Sequence, residues 1–134
     1  MYSGSYGHNE VWSFGDQAFN AISSVMHIRE GLRTYVAENL ALASAEGTPL
    51  LRPIAFDFAG ADAIRATDQY LFGPRFLVAP VLKLFAKQRL VYFPPLSINK
   101  SWVNYYTGEK MSSGWKNVSL SANVSEFPLY ELQG

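Results

Sequence analysis

Two aspartates, Asp57 and Asp62, are the residues best placed to do chemistry, because both follow a predicted strand at residues 50–56. A carboxylate just beyond the end of a buried strand could contact a ligand, and the alternative is that it caps the loop. His27 lies among residues predicted to be helical, where a solvated or locally hydrogen-bonded imidazole is a simpler interpretation than a catalytic one. The chain has no cysteine, which excludes disulfides, thiol catalysis and cysteine-ligated metal. We therefore predict neither a metal site nor a cofactor.

The elements that would position these aspartates begin with a long amphipathic segment at residues 16–45. Gly31 interrupts it at a cost of about 1 kcal/mol, and Thr34 could cap a second helix, so we predict two helices that break between these residues. Gly47 is predicted to end the second helix in a left-handed conformation, with Pro49 just beyond it. The apolar residues that define the segment recur at three- and four-residue steps: Phe19, Ile22, Val25, Met26, Leu32, Val36 and Leu40.

Two apolar runs without polar alternation follow, at residues 50–56 and 76–79. Such runs are typical of strands covered on both faces, as in a parallel sheet. Between them, a short helical turn that starts at Asp68 is predicted to stop at Gly73-Pro74, and Pro80 then takes the chain out of the sheet. This alternation of helices and buried strands predicts an α/β fold for the first part of the chain.

The rest of the chain is predicted to be all-β. Short runs rich in β-branched and aromatic residues are separated by turn residues, which predicts a small antiparallel meander or sandwich. The runs are residues 89–93, 102–106, 116–120 and 127–132.

Composition restricts the partners. Charged residues make up 16% of the chain, against about 25% in an ordinary soluble domain, and 49% are hydrophobic. Either the exterior is unusually apolar, or other protein covers part of it. The formal net charge is zero and there is no basic patch, which argues against nucleic acid or an anionic membrane as a partner. No apolar run approaches the length of a membrane span, about 18 residues.

Three Asn-x-Ser sequons, at Asn99, Asn117 and Asn123, exceed the chance share of seven asparagines. They hint at a secretory route, although unused sequons are common. Residues 1–8 lack the basic and apolar regions of a signal peptide. The sequence therefore leaves localisation open.

Ordered motifs run through most of the chain and carry a family resemblance. They are NEVWSFG at residues 9–15, REGLRTY at 29–35, GTPLLRPI at 47–54, FDF at 56–58, the stretch 68–81, VYFP at 91–94, Trp102 and YTGE at 106–109. Together they resemble the downstream part of glycoside hydrolase family 31, which includes α-glucosidases and α-xylosidases. The resemblance implies that residues 1–81 are the last strands and helices of an incomplete (β/α)₈ barrel. It also implies that residues 82–134 are a small β-sandwich-like domain packed after the barrel.

The family resemblance further implies retaining hydrolysis of α-glycosides. In that reaction a nucleophilic carboxylate and a general acid/base lie about 5–5.5 Å apart. The family's nucleophile lies in a Trp-x-Asp-Met-Asn-Glu type motif and its acid/base lies on a later strand, and both precede the matched region. Neither motif occurs in this chain, where Asn9-Glu10 is the nearest echo. We therefore predict that the chain contains no catalytic residue.

The resemblance suggests His8 as a site residue, and the other roles are predicted from the residues and their positions along the chain. Asp57, Asp62 and His8 are candidates for substrate contact, each weighed against an ordinary loop role. Arg29 and Arg33 are expected on the apolar stripe of the helix, paired with Asp68 or Glu38. The aromatic residues of the β region could stack on a sugar or pack a core, and core packing is favoured; they are Trp102, Tyr105, Tyr106 and Trp115. The residues expected to have structural roles are Arg29, Arg33, Arg52, Asp68, Gln69 and Gly73.

Two functions remain open at this point. The first is the C-terminal part of a retaining α-glycosidase, which meets its carbohydrate substrate only through the complete enzyme and whose apolar faces the rest of the barrel covers. The second is a non-catalytic module that binds carbohydrate or a partner through its aromatic β face. The first is favoured, because a barrel that lacks most of its strands cannot close around a core of its own.

Overall fold

A computed structural model describes residues 10–121 and 126–134. After a 3₁₀ turn at Val11–Phe14, two helices follow: α1 at Asp16–Gly31 and α2 at Arg33–Glu46. The predicted break is confirmed, at Leu32. The predicted cap is wrong, because Thr34 lies inside α2 and Leu32 occupies the N-cap position without a side-chain cap hydrogen bond.

Gly47 ends α2 in the left-handed conformation that was predicted, with a φ of 72°. Its N–H donates to the Ala43 carbonyl at 3.1 Å, which satisfies one of the last carbonyls of the helix.

Two predictions lie outside the described residues, the substrate contact of His8 and the sequon at Asn123. No helix among residues 10–121 and 126–134 is both long and apolar enough to cross a membrane.

Eight strands and two short helices make up the rest of the described chain. In chain order they are β1 at Leu51–Pro53, α3 at Ile54–Asp57, α4 at Ala61–Arg65, β2 at Tyr70–Phe72, β3 at Phe76–Val78, β4 at Gln88–Phe93, β5 at Ser101–Asn104, β6 at Lys110–Met111, β7 at Gly114–Ser119 and β8 at Leu129–Gln133. Six strands form one sheet in the order β1-β2-β3-β8-β5-β6, and β4 pairs with β7 in a two-stranded ribbon. In the described part of the chain every strand pair is antiparallel.

The prediction of a parallel sheet is therefore wrong. β1 is an edge strand in which only Arg52 is buried, and it gives way to α3 after Pro53, a residue that sheets tolerate at their edges. The helical turn predicted after Asp68 is the strand β2, and Gly73 lies in the turn of a hairpin with β3. β3 pairs with β8, so strands from both sides of residue 81 are neighbours in one sheet.

One core joins the sheet and the ribbon. Phe93 of the ribbon and Tyr130 of the sheet meet edge to face with ring centroids 4.7 Å apart, and both are almost completely buried. Leu77, Val91 and Trp102 pack in the same cluster. Residues 51–121 and 126–133 thus form a small antiparallel β domain with two layers.

The helices contribute little to this core. α1 contains no buried residue, and Asn39 is the only buried residue of α2. Tyr35 makes the main attachment: its ring meets Phe76 at 5.5 Å, and its hydroxyl donates to the Phe72 carbonyl at 2.8 Å. Leu32 also packs against the cluster that contains Phe76, so a short region around Tyr35 fixes the helix pair to the β2–β3 hairpin, and most other helix residues are exposed.

Candidate functional site

Asp57 lies at the end of α3 and serves as the counter-ion of a buried arginine. The Nε and Nη2 atoms of Arg52 donate to Asp57 Oδ2 at 2.9 and 2.6 Å, and Nη1 donates to the Pro49 carbonyl at 3.3 Å. Arg52 is only 7% exposed and lies over the Phe56 ring. A buried guanidinium needs such a partner, because an unpaired buried charge is strongly destabilising. This ion pair gives both Arg52 and Asp57 a structural role.

Asp62, in the first turn of α4, joins that helix to the ribbon. Its Oδ1 atom accepts a hydrogen bond from Trp115 Nε1 at 2.9 Å and lies 3.8 Å from Arg65. The Trp115 ring in turn packs on Tyr92, with centroids 5.2 Å apart. Both the carboxylate and the indole therefore have partners inside the chain.

Asp68 and Gln69 bind β4 to the segment that precedes β2. Arg89 Nη1 donates to Asp68 Oδ2 at 2.9 Å, and Nη2 donates to the Asp68 carbonyl. Gln69 is 3% exposed; its Nε2 donates to the Tyr92 carbonyl at 2.7 Å, and its Oε1 accepts from the Tyr92 N–H at 2.8 Å. The Gln69 amide thus pairs with Tyr92 as a neighbouring strand would.

The expected partners of the helix arginines are wrong. Arg33 pairs with Glu30 at 2.8 Å on the helix surface, with 76% of its side chain exposed, and Asp68 pairs with Arg89 instead. The hydrogen bond from Arg33 holds the pKa of Glu30 below its usual value. Arg29 is exposed as well. The expectation that these arginines are shielded from solvent is therefore wrong, because both side chains are exposed.

Histidine and tryptophan follow the simpler interpretations. His27 Nδ1 lies 2.7 Å from the Ser23 carbonyl, one helical turn earlier, so the imidazole is locally hydrogen-bonded.

Trp102 is 1% exposed and its Nε1 donates to the Pro94 carbonyl at 3.2 Å, which confirms core packing. Burial likewise raises the pKa of Tyr130 to about 12. Tyr105 remains 38% exposed and is the aromatic residue of the predicted set that faces solvent most clearly.

Two open clefts border the Asp68 segment, with volumes of about 430 and 500 Å³, and both include Asp68 and Leu82 in their walls. Asp68 is the only acidic residue among the described residues that line them. Among the described residues that line these clefts, Asp68 therefore has no second carboxylate with which it could form a catalytic pair.

A third cavity, of about 470 Å³, lies between the β6–β7 region and the start of β8. Glu109 and Glu126 both line it, together with Tyr106 and Tyr130. Within the described chain, no group of three or more His, Cys, Asp or Glu side chains could hold a metal ion. Sequence reasoning missed this cavity, because its glutamates come from separate strand ends.

Comparison with known proteins identifies a family and several similar proteins. The family model described as the glycosyl hydrolase family 31 C-terminal domain matches residues 47–134. The sequence is 30% identical to alpha-xylosidase A of Aspergillus niger and 27% identical to alpha-glucosidase 2 of Bacillus thermoamyloliquefaciens. These alignments cover 92% and 96% of this chain but only 18% and 16% of the two relatives.

Solved structures agree with the sequence comparison. A GH31 alpha-xylosidase from a soil metagenome, in complex with xylose, matches with a TM-score of 0.84 and 35% identity over 93% of this chain. A xylosidase from Aspergillus niger matches with a TM-score of 0.80 and 26% identity over the whole of it. The chain spans 18% and 20% of those two proteins, so it is similar to a small part of each.

Proposed function

This chain belongs to glycosyl hydrolase family 31, and on that premise we propose that it is the C-terminal part of a retaining α-glycosidase that acts on α-glucosides or α-xylosides. The observation that carries the proposal is the extent of the match. The alignment covers nearly all of this chain, but less than a fifth of the named alpha-xylosidase and alpha-glucosidase. The matched part is the one that the family model describes as C-terminal.

The aspartates support a scaffolding role for this part. Retaining hydrolysis needs two free carboxyl groups about 5–5.5 Å apart, one of which must carry a proton. Asp57, Asp62 and Asp68 instead bind Arg52, Trp115 and Arg89. We infer that the bond-cleaving pair belongs to another part of the parent enzyme, and that substrate reaches this chain only in that context.

The helices and the β domain differ in their relation to the family match. The helices α1 and α2 precede residue 47, where the match begins, and the antiparallel β domain lies within the match. We propose that the helices belong to the barrel of the parent enzyme. Because β1, β2 and β3 share a sheet with β8, the β domain then includes residues that precede 81.

An apolar stripe on the helices supports this assignment. Phe19 and Met26 lie seven residues apart on one face of α1 and are 42% and 52% exposed, and Leu40 of α2 is 54% exposed. Such a stripe normally packs against protein. We propose that the rest of the barrel covers it.

The stripe predicts the behaviour of the isolated chain. The triple variant Phe19→Ser, Met26→Ser, Leu40→Ser is expected to weaken self-association by about tenfold or more, because each serine removes apolar surface from the contact. Sedimentation velocity and binding of a hydrophobic dye measure this. Ile64→Ser, at a residue of α4 that is 68% exposed, is the matched control and should change little. A monodisperse parent chain that binds no dye would favour an independent module.

The isolated chain is expected to hydrolyse neither aryl α-glucosides nor aryl α-xylosides, because Asp57, Asp62 and Asp68 are bound to other side chains. Release of nitrophenol under saturating substrate is the measurement. The glutamates of the third cavity provide the sharper check. Turnover that disappears in Glu109→Gln or Glu126→Gln, but survives in the exposed control Glu30→Gln, would show that the chain carries its own catalytic pair.

Carbohydrate binding without turnover would support the second candidate function. Calorimetric titration with xylose and with isomaltose tests it directly. A saturable heat that Tyr105→Ala abolishes would favour a sugar-binding module, because Tyr105 is an exposed aromatic residue of the β domain.

A further inference from the structure

Among the described residues, some asparagines are used by the fold and others are left free. Asn39 donates to the Tyr35 carbonyl at 2.8 Å, and Asn104 Oδ1 accepts from the backbone N–H groups of Tyr106 and Thr107 at 2.9 and 3.0 Å. Neither of these asparagines starts an Asn-x-Ser sequon. The hydrogen-bonding asparagines are thus unsuited to modification.

Asn99 and Asn117 show the opposite combination. Each starts a sequon, with Ser101 and Ser119 as the hydroxyl residues, and each is exposed. In the described part of the chain, neither side-chain amide makes a hydrogen bond to protein. A bulky substituent on either amide nitrogen therefore breaks no contact that the fold needs.

Each of these two asparagines also has a strongly exposed apolar neighbour. Ile98, directly before Asn99, is fully exposed in a turn closed by the Lys100 N–H and the Ser97 carbonyl at 2.9 Å. Leu90, the register partner of Asn117 across the ribbon, is 49% exposed. A sugar ring attached to the asparagine has apolar C–H faces, and it could cover such a side chain.

We propose that Asn99 and Asn117 carry N-linked oligosaccharides that shield Ile98 and Leu90 from solvent. In this step the amide nitrogen attacks C1 of an oligosaccharide held on a lipid diphosphate. The N-glycosidic bond forms, the bond from C1 to the phosphate oxygen breaks, the nitrogen loses one proton, and the lipid diphosphate leaves. The serine hydroxyl at the third position of the sequon is required for recognition by the transferase. This proposal does not depend on the catalytic assignment.

Glycopeptide mapping of the protein isolated from the cells that make it tests the proposal. After treatment with peptide N-glycosidase in ¹⁸O-labelled water, Asn99 and Asn117 are expected as labelled aspartates. Asn20, which is exposed but outside any sequon, is the internal control and should remain asparagine. Unlabelled Asn99 or Asn117 would overturn the assignment for that site, and label at Asn123 alone would overturn both.

Variants produced in a eukaryotic secretory host separate modification from a structural role of the asparagine. Ser101→Ala and Ser119→Ala keep each asparagine but should remove one glycan each, which a gel shift reports. Loss of both glycans is expected to increase dye binding, because Ile98 and Leu90 become uncovered. Unchanged mobility of a serine variant, relative to the parent chain, would contradict the proposal for that sequon.

Discussion

Replacing Gly73 with alanine is expected to destabilise the chain by about 2–4 kcal/mol, from a left-handed backbone and an overpacked contact together. Gly73 has a φ of +59°, and a Cβ there would lie 2.0 Å from Tyr35 Oη and 2.8 Å from Cζ. The tyrosine cannot swing away cheaply, because its hydroxyl donates to the Phe72 carbonyl at 2.8 Å and accepts from the Arg75 N–H at 3.2 Å. The added methyl group therefore strikes the contact that fixes the helices to the β domain.

Gly108→Ala is the matched control for this prediction. Gly108 has a φ of +74°, but a Cβ there would meet nothing within 4 Å, so only the backbone cost of about 1–2 kcal/mol applies. Urea unfolding followed by circular dichroism measures both variants. Tyr35→Phe removes the hydroxyl that the added methyl group meets. The double variant Gly73→Ala, Tyr35→Phe should therefore lose less stability than the two single variants lose in total. Equal losses for Gly73→Ala and Gly108→Ala would contradict the proposed contact.

Local signals predicted the local elements well. The helix break next to Gly31 and the left-handed cap at Gly47 follow from backbone preferences, which act over a few residues. The strands β4, β5, β7 and β8 appear close to the predicted β runs, because turn residues bound each one. The resemblance of short ordered motifs identified the family that the comparisons show.

Strand pairing could not be predicted in the same way. The run at residues 76–79 is apolar throughout, which suits a parallel strand or the centre of an antiparallel sheet equally well. The deciding contact is Leu77 opposite Tyr130, and it joins residues far apart in the chain. Nothing local to either strand specifies that register, so the hairpin of β2 and β3 was predicted to be a helical turn and a parallel strand.

Side-chain partners in the candidate site were likewise predictable only where the two residues are close in sequence. Asp57 and its partner Arg52 are close in sequence, and proximity alone suggests the ion pair. The partners of Asp62 and Asp68 are Trp115 and Arg89, which the ribbon supplies. Because no sequence pattern predicted how the ribbon packs, the sequence alone indicated neither of these two partners.

Gln69→Leu is expected to cost about 2–6 kcal/mol, because it leaves a buried donor and a buried acceptor of Tyr92 without partners, at about 1–3 kcal/mol each. Leucine has nearly the size of glutamine, so no large cavity contributes. Tyr92 is 6% exposed, and water cannot easily replace the lost amide. Denaturant unfolding gives the total effect, and hydrogen exchange at the Tyr92 amide locates it.

The Gln69 amide holds β4 in the core, so the loss should be specific to that position. Gln88→Leu, at the exposed first residue of the same strand, is the matched control and should change stability by less than about 0.5 kcal/mol. Gln69→Glu keeps the acceptor for the Tyr92 N–H but loses the donor to its carbonyl, so it should lower stability while retaining part of the exchange protection. Unchanged stability and slow exchange at Tyr92 in Gln69→Leu would mean that other contacts hold the ribbon on the sheet.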